Sequence, residues 1–310
     1  MRTEARLLTA SAPTELGEVA RAMAAAATEI EGVLENLLPN PNGPEHRLQE
    51  AMRYVVLAPG KRFRPVLVLS AAQMFGVPRQ SALRVAAAVE MVHTYSLVHD
   101  DLPSMDDDPV RRGQPSAHVQ FDEATAVLAG DALFALAFEV LTDEETHSDL
   151  AVRVELMRAL AEAAGAHGMV GGQMIDLVTE HKRADIGTIT RLQQLKTGAL
   201  IAFSCEAGAM LARAAPPLRH ALRTYAHDLG LAFQIVDDLL DAEGSAEAMG
   251  KEVRKDASKG KANFVSLLGP ERARTQASLL ADQAAAHLEP FAENAAFLRR
   301  LARFVVQRQT

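Results

Sequence analysis

Residues 91–108 read MVHTYSLVHDDLPSMDDD, an apolar run that passes directly into a cluster of aspartates. Upstream of the acids, from Leu83 to Val98, apolar side chains recur at steps of three and four residues. This spacing places them on one face and predicts a long helix with a buried side. The same periodicity returns in later windows, and strands never alternate with helices, so the sequence predicts an all-α fold.

Composition agrees with this fold class. The chain has 310 residues, of which 48% are hydrophobic and only 5% aromatic, and good helix formers such as Ala and Leu dominate. The segment PVLVLS, residues 65–70, could form a strand in isolation, but no partner strand is near, so we predict the start of a buried helix. No shift in composition marks a domain boundary. We expect residues 17–310 to form one domain of roughly ten or more helices, after a flexible leader at residues 1–16.

Charge and cysteine content exclude several classes of protein. The net charge of −8 argues against a nucleic-acid partner held by phosphate attraction. The lone Cys205 excludes a disulfide framework. Since the longest apolar runs fall far short of the ~20 residues of a membrane span and no signal peptide is recognisable, we expect a cytoplasmic protein without membrane insertion.

A second aspartate cluster, DDLLD at residues 237–241, follows the apolar run LAFQIV. Asp237 and Asp241 are four residues apart and leave the same helix face, where like charges are unfavourable unless a cation lies between them. Clustered carboxylates are the hard oxygen ligands that suit Mg²⁺. A helix end or a solvated acidic face is the alternative for each cluster, but the apolar run before each one favours a metal site.

The first cluster, DDLPSMD at residues 100–106, is less regular. Six helical residues turn the chain by about 240°, so Asp100 and Asp106 cannot share a face of a straight helix. Pro103 disfavours helical geometry at Leu102. We therefore expect the helix to bend or end there, with Asp106 folded back beside Asp100.

Three basic groupings accompany the acids: GKRFRP at residues 60–65, RRG at residues 111–113 and a lysine-rich stretch at residues 251–261. Arginine offers a planar fork to phosphate oxygens, and lysine offers a mobile point charge. Bases beside metal-binding acids indicate a polyphosphate substrate. A surface patch, or neutralisation of the neighbouring acids, is the alternative for each grouping taken alone.

These motifs occur together in a known family. The chain resembles the trans-polyprenyl diphosphate synthases, and among them the bacterial farnesyl diphosphate synthases, over nearly its whole length. The resemblance rests on GKRFRP, VEMVHTYSLVHDDLPSMDDDPVRRGQPSAH, AVLAGDAL, GMVGGQMIDL, KTGAL, FQIVDDLLD and GKANFVSLLG, in the family's order and spacing. It implies an isoprenoid-synthase-type helical bundle in which the two aspartate motifs face each other across a central cavity.

The resemblance also implies the chemistry. Three Mg²⁺ ions, with Mn²⁺ as a substitute, would bind the diphosphate of an allylic substrate. The implied ligands are Asp100, Asp106 and Asp237, supported directly or through water by Asp101, Asp238 and Asp241. Ionisation of dimethylallyl or geranyl diphosphate, attack by isopentenyl diphosphate and proton loss would give (2E,6E)-farnesyl diphosphate. A homodimer is implied as well.

The implied diphosphate-binding residues fall into two sets. The allylic set is Arg111, Lys196, Lys251 and Lys261, and the isopentenyl set is Lys61, Arg64, His93 and Arg112. Because His93 lies seven residues before Asp100, close to two helical turns, both share one face. Thr197 and Gln234 would place polar groups at the reacting centre. The chain departs from the family's pattern at Arg254 and Asn263.

The resemblance also implies that Tyr95 and Ser96, just before the first aspartate, form the floor of the product cavity and stop growth at fifteen carbons. Geranyl and geranylgeranyl diphosphate are the alternative products, and Tyr95 could instead be an ordinary core aromatic. Rival functions are a class I terpene cyclase, a silent regulatory subunit and a calcium-binding scaffold. The complete second acidic motif and the basic GKRFRP motif favour chain elongation.

Overall fold

The computed structural model describes residues 15–180, 184–243 and 263–308, which form a bundle of α-helices, as predicted. The first helices are α1 (Glu15–Leu37), α2 (His46–Val56), α3 (Phe63–Met74), α4 (Arg79–Asp100), α5 (Ala117–Gln120), α6 (Glu123–Thr142), α7 (Leu150–Ala164) and α8 (Met169–Thr179). They continue with α9 (Ile186–Gln193), a π-helix (Gln194–Gly198), α10 (Ala199–Leu211), α11 (Pro216–Glu243), α12 (Phe264–Leu268), α13 (Pro270–His287), a 3-10 helix (Glu289–Ala295) and α14 (Ala296–Gln307). The segment PVLVLS lies within α3, which confirms that it is helical.

Helices α4 and α10 form the centre of the bundle. Residues 82–92 of α4 and 203–211 of α10 are buried without interruption, as in helices covered on every side. Helix α4 packs against α3 and α6, while α10 packs against α3 and α7. A Cβ atom at Gly208 would lie 2.3 Å from the backbone nitrogen of Ala72, so glycine allows α10 to approach α3 this closely.

A second apolar cluster joins α1, α11, α13 and α14. Within it, the buried Tyr225 hydroxyl donates a hydrogen bond of 2.9 Å to the carbonyl of Leu298. Helix α11 begins at Pro216, because proline is tolerated in the first turn of a helix. Helix α1 starts at Glu15 and takes in the end of the predicted leader, whose other residues lie outside the described ranges.

Helix α4 ends at Asp100, at the first acid of the first cluster. The backbone N–H of Asp106 then donates a hydrogen bond of 2.8 Å to the carbonyl of Asp100. This contact confirms that the chain folds back at the proline and brings residue 106 beside residue 100.

The segment predicted as a basic loop after the first cluster is a tight hairpin. Strand β1 (Val110–Arg111) pairs with strand β2 (Gln114–Pro115) in antiparallel register. The two turn residues, Arg112 and Gly113, have φ angles of 54° and 78°, as a two-residue turn of type I′ requires. The hairpin therefore separates two neighbouring arginines, because Arg111 projects from the strand and Arg112 projects from the turn.

Candidate active site

A cavity of 490 Å³ lies between α4, α6, α8 and the π-helix. Its lining combines charged and polar side chains with apolar and aromatic ones. The polar members are Arg64, His93, Ser96, His99, Asp100, Ser104, Gln173, Lys196 and Thr197, and the larger apolar members are Tyr95, Leu97, Leu102, Met105, Val127, Met169, Val170, Met174 and Leu177. Such a lining suits a ligand with a charged head and a hydrocarbon body.

The first aspartate motif borders this cavity through Asp100. The ammonium of Lys196 lies 3.8 Å from Asp100 Oδ2 and 2.7 Å from Asp176 Oδ2. Burial raises the pKa of Asp100 to about 6; Lys196 opposes this shift, and Asp106 and Asp176 add to it. Asp176 was not predicted from the sequence, although it lies in the quoted motif GMVGGQMIDL. The structure thus places two acids, Asp100 and Asp176, beside one lysine.

Lys196 and Thr197 lie on the π-helix, a helical form that is rare and often marks a functional site. Helix α8 reaches this segment through Gly172, where a Cβ atom would lie 2.2 Å from the backbone nitrogen of Lys196. The glycine of the GMVGGQMIDL motif therefore allows α8 to press against the backbone that carries the lysine. A larger residue would displace Lys196 from Asp176.

The second aspartate motif is linked to the cavity by a chain of hydrogen bonds. The Thr197 hydroxyl donates to Gln234 Oε1 at 3.3 Å, and Gln234 Nε2 donates to Asp238 Oδ1 at 2.9 Å. The other oxygen of Asp238 accepts from the backbone N–H of Phe264 at 2.9 Å. Asp238 is buried, and both carboxylate oxygens are engaged by protein groups. This geometry has Asp238 anchor the start of α12, and its predicted supporting role in metal binding stays a prediction.

Asp237 and Asp241 occupy the last two turns of α11, and the continuous helix places them on one face, as predicted. The guanidinium of Arg308 lies 2.5 Å from Asp237 Oδ1 and stacks 4.0 Å from the centre of the Phe233 ring. No sequence motif pointed to Arg308, because it follows α14 and is isolated from every motif. It reaches the second aspartate motif only through the packing of α14.

Asp101 does not line the large cavity. Its buried carboxylate accepts two hydrogen bonds from Arg111 Nε, at 2.9 and 3.2 Å, and a shorter one from Arg111 Nη2. Asp108 Oδ2 lies 3.6 Å from the same guanidinium. Burial raises the pKa of Asp101, and Arg111 opposes this shift. Asp101 thus orients Arg111, and its predicted support of metal binding stays a prediction.

Arg64 and His93 meet at the cavity wall. The Arg64 Nε atom is buried and has no hydrogen-bond partner among the described residues. Burial lowers the pKa of Arg64 to about 10, an effect that the charge of Glu90 opposes. Burial, followed by the charges of Arg64 and Arg112, holds the pKa of His93 well below its ordinary value, so this imidazole is neutral. An unpaired buried guanidinium nitrogen beside a neutral histidine fits an anionic ligand.

The other two residues of the predicted isopentenyl set lie apart from that wall. Arg112 is on the hairpin turn, with its Nη2 atom 3.7 Å from Glu90 Oε1. Lys61 is exposed and borders a second cavity of 430 Å³, together with Phe63 and Arg308. The structure therefore brings Arg64 and His93 together at the cavity wall, and Arg112 lies close enough for its charge to lower the pKa of both.

Lys251, Lys261 and Arg254 lie outside the described residues. Asn263 lies just within them and caps α12: its Oδ1 accepts a hydrogen bond of 2.9 Å from the backbone N–H of Ser266. The Asn263 N–H donates in return to the Ser266 hydroxyl at 3.0 Å. The departure from the family's pattern at this position thus has a local structural reason, which is the start of a short helix.

Within residues 15–180, 184–243 and 263–308, no three acidic, histidine or cysteine side chains converge closely enough to hold a metal ion by themselves. Mg²⁺ ordinarily keeps several waters and shares the oxygens of a bound phosphate, so a complete protein cage is not required. The carboxylate of Asp100 lines the cavity, Asp106 is close enough to raise the pKa of Asp100, and Asp237 is close enough to raise that of Arg64. Oxygen donors of this kind fit such a partly shared site.

The family model for Polyprenyl synthetase matches residues 45–294. The chain belongs to this family. The farnesyl diphosphate synthase of Escherichia coli K12 is 44% identical over 282 residues, covering 87% of this chain and 91% of that protein. An FPP/GFPP synthase from Zymomonas mobilis has a TM-score of 0.86 and 50% identity, with 94% and 99% of the two chains covered. A geranyltransferase from Helicobacter pylori, solved with magnesium and isoprenyl diphosphate, has a TM-score of 0.81 and 31% identity over 96% and 98% of the chains.

Membership in the polyprenyl synthetase family confirms the predicted resemblance, and the chain is a prenyltransferase with the isoprenoid synthase fold. All of the basic and acidic motifs quoted from the sequence fall within the matched region. Arg308 falls beyond it, which is consistent with the lack of any signal for this residue in the sequence motifs.

Proposed function

We propose that this polyprenyl synthetase is a Mg²⁺-dependent farnesyl diphosphate synthase. It condenses isopentenyl diphosphate head to tail with dimethylallyl and then geranyl diphosphate to give (2E,6E)-farnesyl diphosphate. The observation that carries the proposal is the composition of the large cavity, where the charged Asp100 and Lys196 share the lining with apolar side chains such as Met174 and Leu177 and with the ring of Tyr95. The farnesyl diphosphate synthase relative supports the same assignment.

Metal binding is assigned to Asp100, Asp106 and Asp237, with Asp241 one turn further along α11 as a water-mediated partner. We expect three Mg²⁺ ions, which Mn²⁺ can replace, and the magnesium complex of the Helicobacter pylori relative supports this choice of metal. When bound, such ions stabilise the negative charge that develops on a departing diphosphate.

The basic residues bind the two diphosphates. Lys196 and Arg111, which the structure holds beside Asp100 and Asp101, bind the allylic diphosphate together with Lys251 and Lys261. Arg64, His93, Arg112 and Lys61 bind the diphosphate of isopentenyl diphosphate. Because Arg64 keeps a buried nitrogen without a protein partner, it is the residue of this set whose geometry most favours an anion.

Within this arrangement the protein needs no nucleophile of its own. The allylic carbon–oxygen bond breaks, the electron pair leaves with the diphosphate, and the double bond of isopentenyl diphosphate attacks the resulting cation. The released diphosphate accepts the proton that is lost as the new double bond forms. The oxygens of Thr197 and Gln234 direct partial negative charge towards the reacting centre, and the apolar walls exclude water that would quench the cation.

Tyr95 and Ser96 both line the cavity, in agreement with the proposed floor that stops growth at fifteen carbons. The centre of the Tyr95 ring lies 5.2 Å from that of the His99 ring and 4.9 Å from that of the Phe134 ring. Contacts with both rings therefore fix the position of Tyr95. Geranyl and geranylgeranyl diphosphate stay as alternative products. The FPP/GFPP designation of the Zymomonas mobilis relative marks product length as the property that varies among similar chains.

We infer a cytoplasmic homodimer that binds neither nucleic acid nor membrane. Helix α6 is long and apolar enough to cross a membrane by length and composition alone, and only 39% of its most apolar stretch is buried. Its outer face presents Leu128, which is 56% exposed. A second copy of the chain packed on this face would cover it.

The proposed function is tested by incubating the protein with isopentenyl diphosphate and each allylic diphosphate, with and without Mg²⁺, and measuring product mass. We expect fifteen-carbon product only with the metal. Asp237→Ala should lower turnover by about 100-fold or more, since it removes a ligand needed in the transition state. Asp149→Ala is the control, because Asp149 caps α7 away from the cavity. Retained turnover in Asp237→Ala, or product without metal, would contradict the proposal.

A further inference from the structure

Glu90 is a buried acid in the middle of the central helix α4, and it is only 1% exposed. A buried carboxylate is strongly unfavourable unless positive charges and hydrogen bonds compensate it. Its neighbours on the helix, residues 82–92, are all buried, so it has no access to water along α4. The groups that compensate its charge must therefore come from other parts of the chain.

The first compensating group is Arg62, from the GKRFRP motif. Its Nη1 atom donates a hydrogen bond of 2.7 Å to Glu90 Oε1. Its Nη2 atom donates to the carbonyls of Val56 and Ala58 at 2.9 and 2.8 Å and lies 3.6 Å from the half-exposed Glu31. Arg62 itself is 2% exposed. One guanidinium thus connects α4 to the end of α2 and the turn after it.

The backbone of Arg62 is unusual as well. Its φ and ψ angles of 47° and 40° place it in the left-handed region, which a residue with a side chain adopts only when its surroundings hold it there. Arg62 is the residue that precedes α3, and it stands between Lys61 and Arg64. The contact with Glu90 therefore fixes the turn from which two predicted diphosphate ligands project.

The second compensating group is Arg112, from the hairpin turn. Its Nη2 atom lies 3.7 Å from the same Oε1 atom of Glu90. Its guanidinium also lies against Gly60, where a Cβ atom would be 3.0 Å away. Burial lowers the pKa of Arg112, Glu90 raises it, and Arg62 lowers it. One carboxylate oxygen thus holds two mutually repelling arginines from two separate loops.

We propose that Glu90 is a positioning residue for the diphosphate of isopentenyl diphosphate, and that it acts by holding Arg62 and Arg112 and through them the GKRFRP turn. The inference rests on the proposed function. Glu90 does not line the large cavity, so it acts through the arginines and not by contact with substrate. Because Arg62, Arg64 and Arg112 outnumber this one buried acid, the group retains excess positive charge for a polyanionic ligand.

The test compares Michaelis constants for the two substrates in Glu90→Gln, which keeps the size of the side chain and removes its charge. We expect the KM for isopentenyl diphosphate to rise about tenfold or more, because the buried arginines lose their shared partner. The KM for geranyl diphosphate should stay within about twofold, since Glu90 has no contact with Asp100 or Lys196.

The matched control is Glu206→Gln. Glu206 is 5% exposed and forms two hydrogen bonds of 2.7 Å to Arg223, so it is a similarly buried, arginine-paired acid outside the large cavity. Thermal melts of both variants measure any loss of stability. A merely structural role predicts the same small change in both KM values for Glu90→Gln as for Glu206→Gln.

Folded Glu90→Gln with an unchanged KM for isopentenyl diphosphate, or with equal rises in both KM values, would overturn the proposal. If Glu90→Gln does not fold, the same two KM values are measured for Glu90→Asp. This variant keeps the charge but shortens the side chain by one methylene, which weakens its contacts with the arginines. A selective rise in the KM for isopentenyl diphosphate supports the role, and unchanged KM values reject it. Failure of the proposed function is distinct, since the wild-type protein would then form no product.

Discussion

At the scale of single residues, Asp100 is the acid whose surroundings change its chemistry most clearly. It is crowded by Asp106 and Asp176 and is largely buried, and its pKa of about 6 reflects burial more than any single charge. Lys196, at 3.8 Å, offsets this only in part. Without metal, the site holds a proton on Asp100 more tightly than the unfolded chain would.

The upward shift in the pKa of Asp100 makes both the stability of the protein and its metal binding depend on pH. Because the folded state binds the proton more tightly, the contribution of Asp100 to the stability of the metal-free protein falls as pH rises from about 4 to above 6. Metal binding, in contrast, becomes stronger as pH rises, since Mg²⁺ must displace that proton.

We therefore predict that the Mg²⁺ concentration for half-maximal activity rises as pH falls below about 6. The rise should approach about tenfold per pH unit if one proton is displaced. The measurement is a series of Mg²⁺ titrations of activity between pH 7.5 and 5, with calorimetric Mg²⁺ binding to Asp100→Asn as the control for this group. Equal half-maximal concentrations at both ends of the series would contradict the assignment of Asp100.

At the scale of helices, the contact between α3 and α10 depends on the absence of a side chain at Gly208. A Cβ atom there would meet backbone atoms of Ala71 and Ala72 at 2.5 and 2.3 Å, and backbone in two central helices has little room to move. Gly32 in α1 provides a contrast, because a Cβ atom at that position would have no neighbour within 4 Å.

Gly208→Ala should accordingly lower the free energy of unfolding by about 1–3 kcal/mol or more, the usual range for overpacking a core. Gly32→Ala should raise it by about 0.5–1 kcal/mol, because alanine is the better helix former. Urea unfolding followed by circular dichroism measures both values. Equal free energies of unfolding for the two variants would contradict the close packing of α3 on α10.

Helices α4 and α6 meet through aromatic rings that lie behind the cavity. Tyr95 packs on Phe134 at 4.9 Å, and Phe134 packs on Phe138 at 5.1 Å. Tyr95 lines the cavity, whereas Phe134 does not, so removal of the first ring would expose the second. Tyr95 and Phe134 therefore form two successive aromatic layers on this side of the cavity.

We predict that Tyr95→Ala lengthens the main product beyond fifteen carbons and that Tyr95→Ala with Phe134→Ala lengthens it further. The physical reason is the additional depth released by each ring. Mass analysis of the dephosphorylated products measures chain length. Phe75→Ala is the control, since Phe75 packs on Phe291 in the second apolar cluster and should leave chain length unchanged. An unaltered product from Tyr95→Ala would exclude this ring as the stop.

At the scale of the whole molecule, the outer face of α6 is an apolar surface that a single chain leaves exposed. It combines the apolar composition of a core helix with the exposed Leu128. A second chain with the same face would bury both copies at once, because a two-fold interface is self-complementary.

Leu128→Glu should therefore shift the sedimentation of the protein from twice the chain mass towards the chain mass of 33.4 kDa. A charge placed in a buried apolar interface is unfavourable on both sides of the two-fold axis. Leu279→Glu is the matched control, because Leu279 is 52% exposed on α13. Dimers in both variants, or a wild-type monomer, would show that α6 is not the interface.

The helical class, the end of α4 near Pro103 and the return of Asp106 to Asp100 were all predictable from the sequence. Each depends on local spacing, which fixes the side chains that share a helix face, and on the steric effect of proline on its predecessor. The acidic and basic motifs, quoted with their spacing, were sufficient to name the family.

The partners of those motifs were not predictable in the same way. Asp176 meets Lys196, Glu90 holds Arg62, and Arg308 reaches Asp237, each pair being separated by at least 20 residues of chain. Periodicity along one helix carries no information about which side chain of another helix lies opposite. The opposing side chains are set only when the helices pack. The sequence by itself therefore determined which helix faces carry charge. The tertiary structure decided which of these charges neutralise one another and which stay available to a ligand.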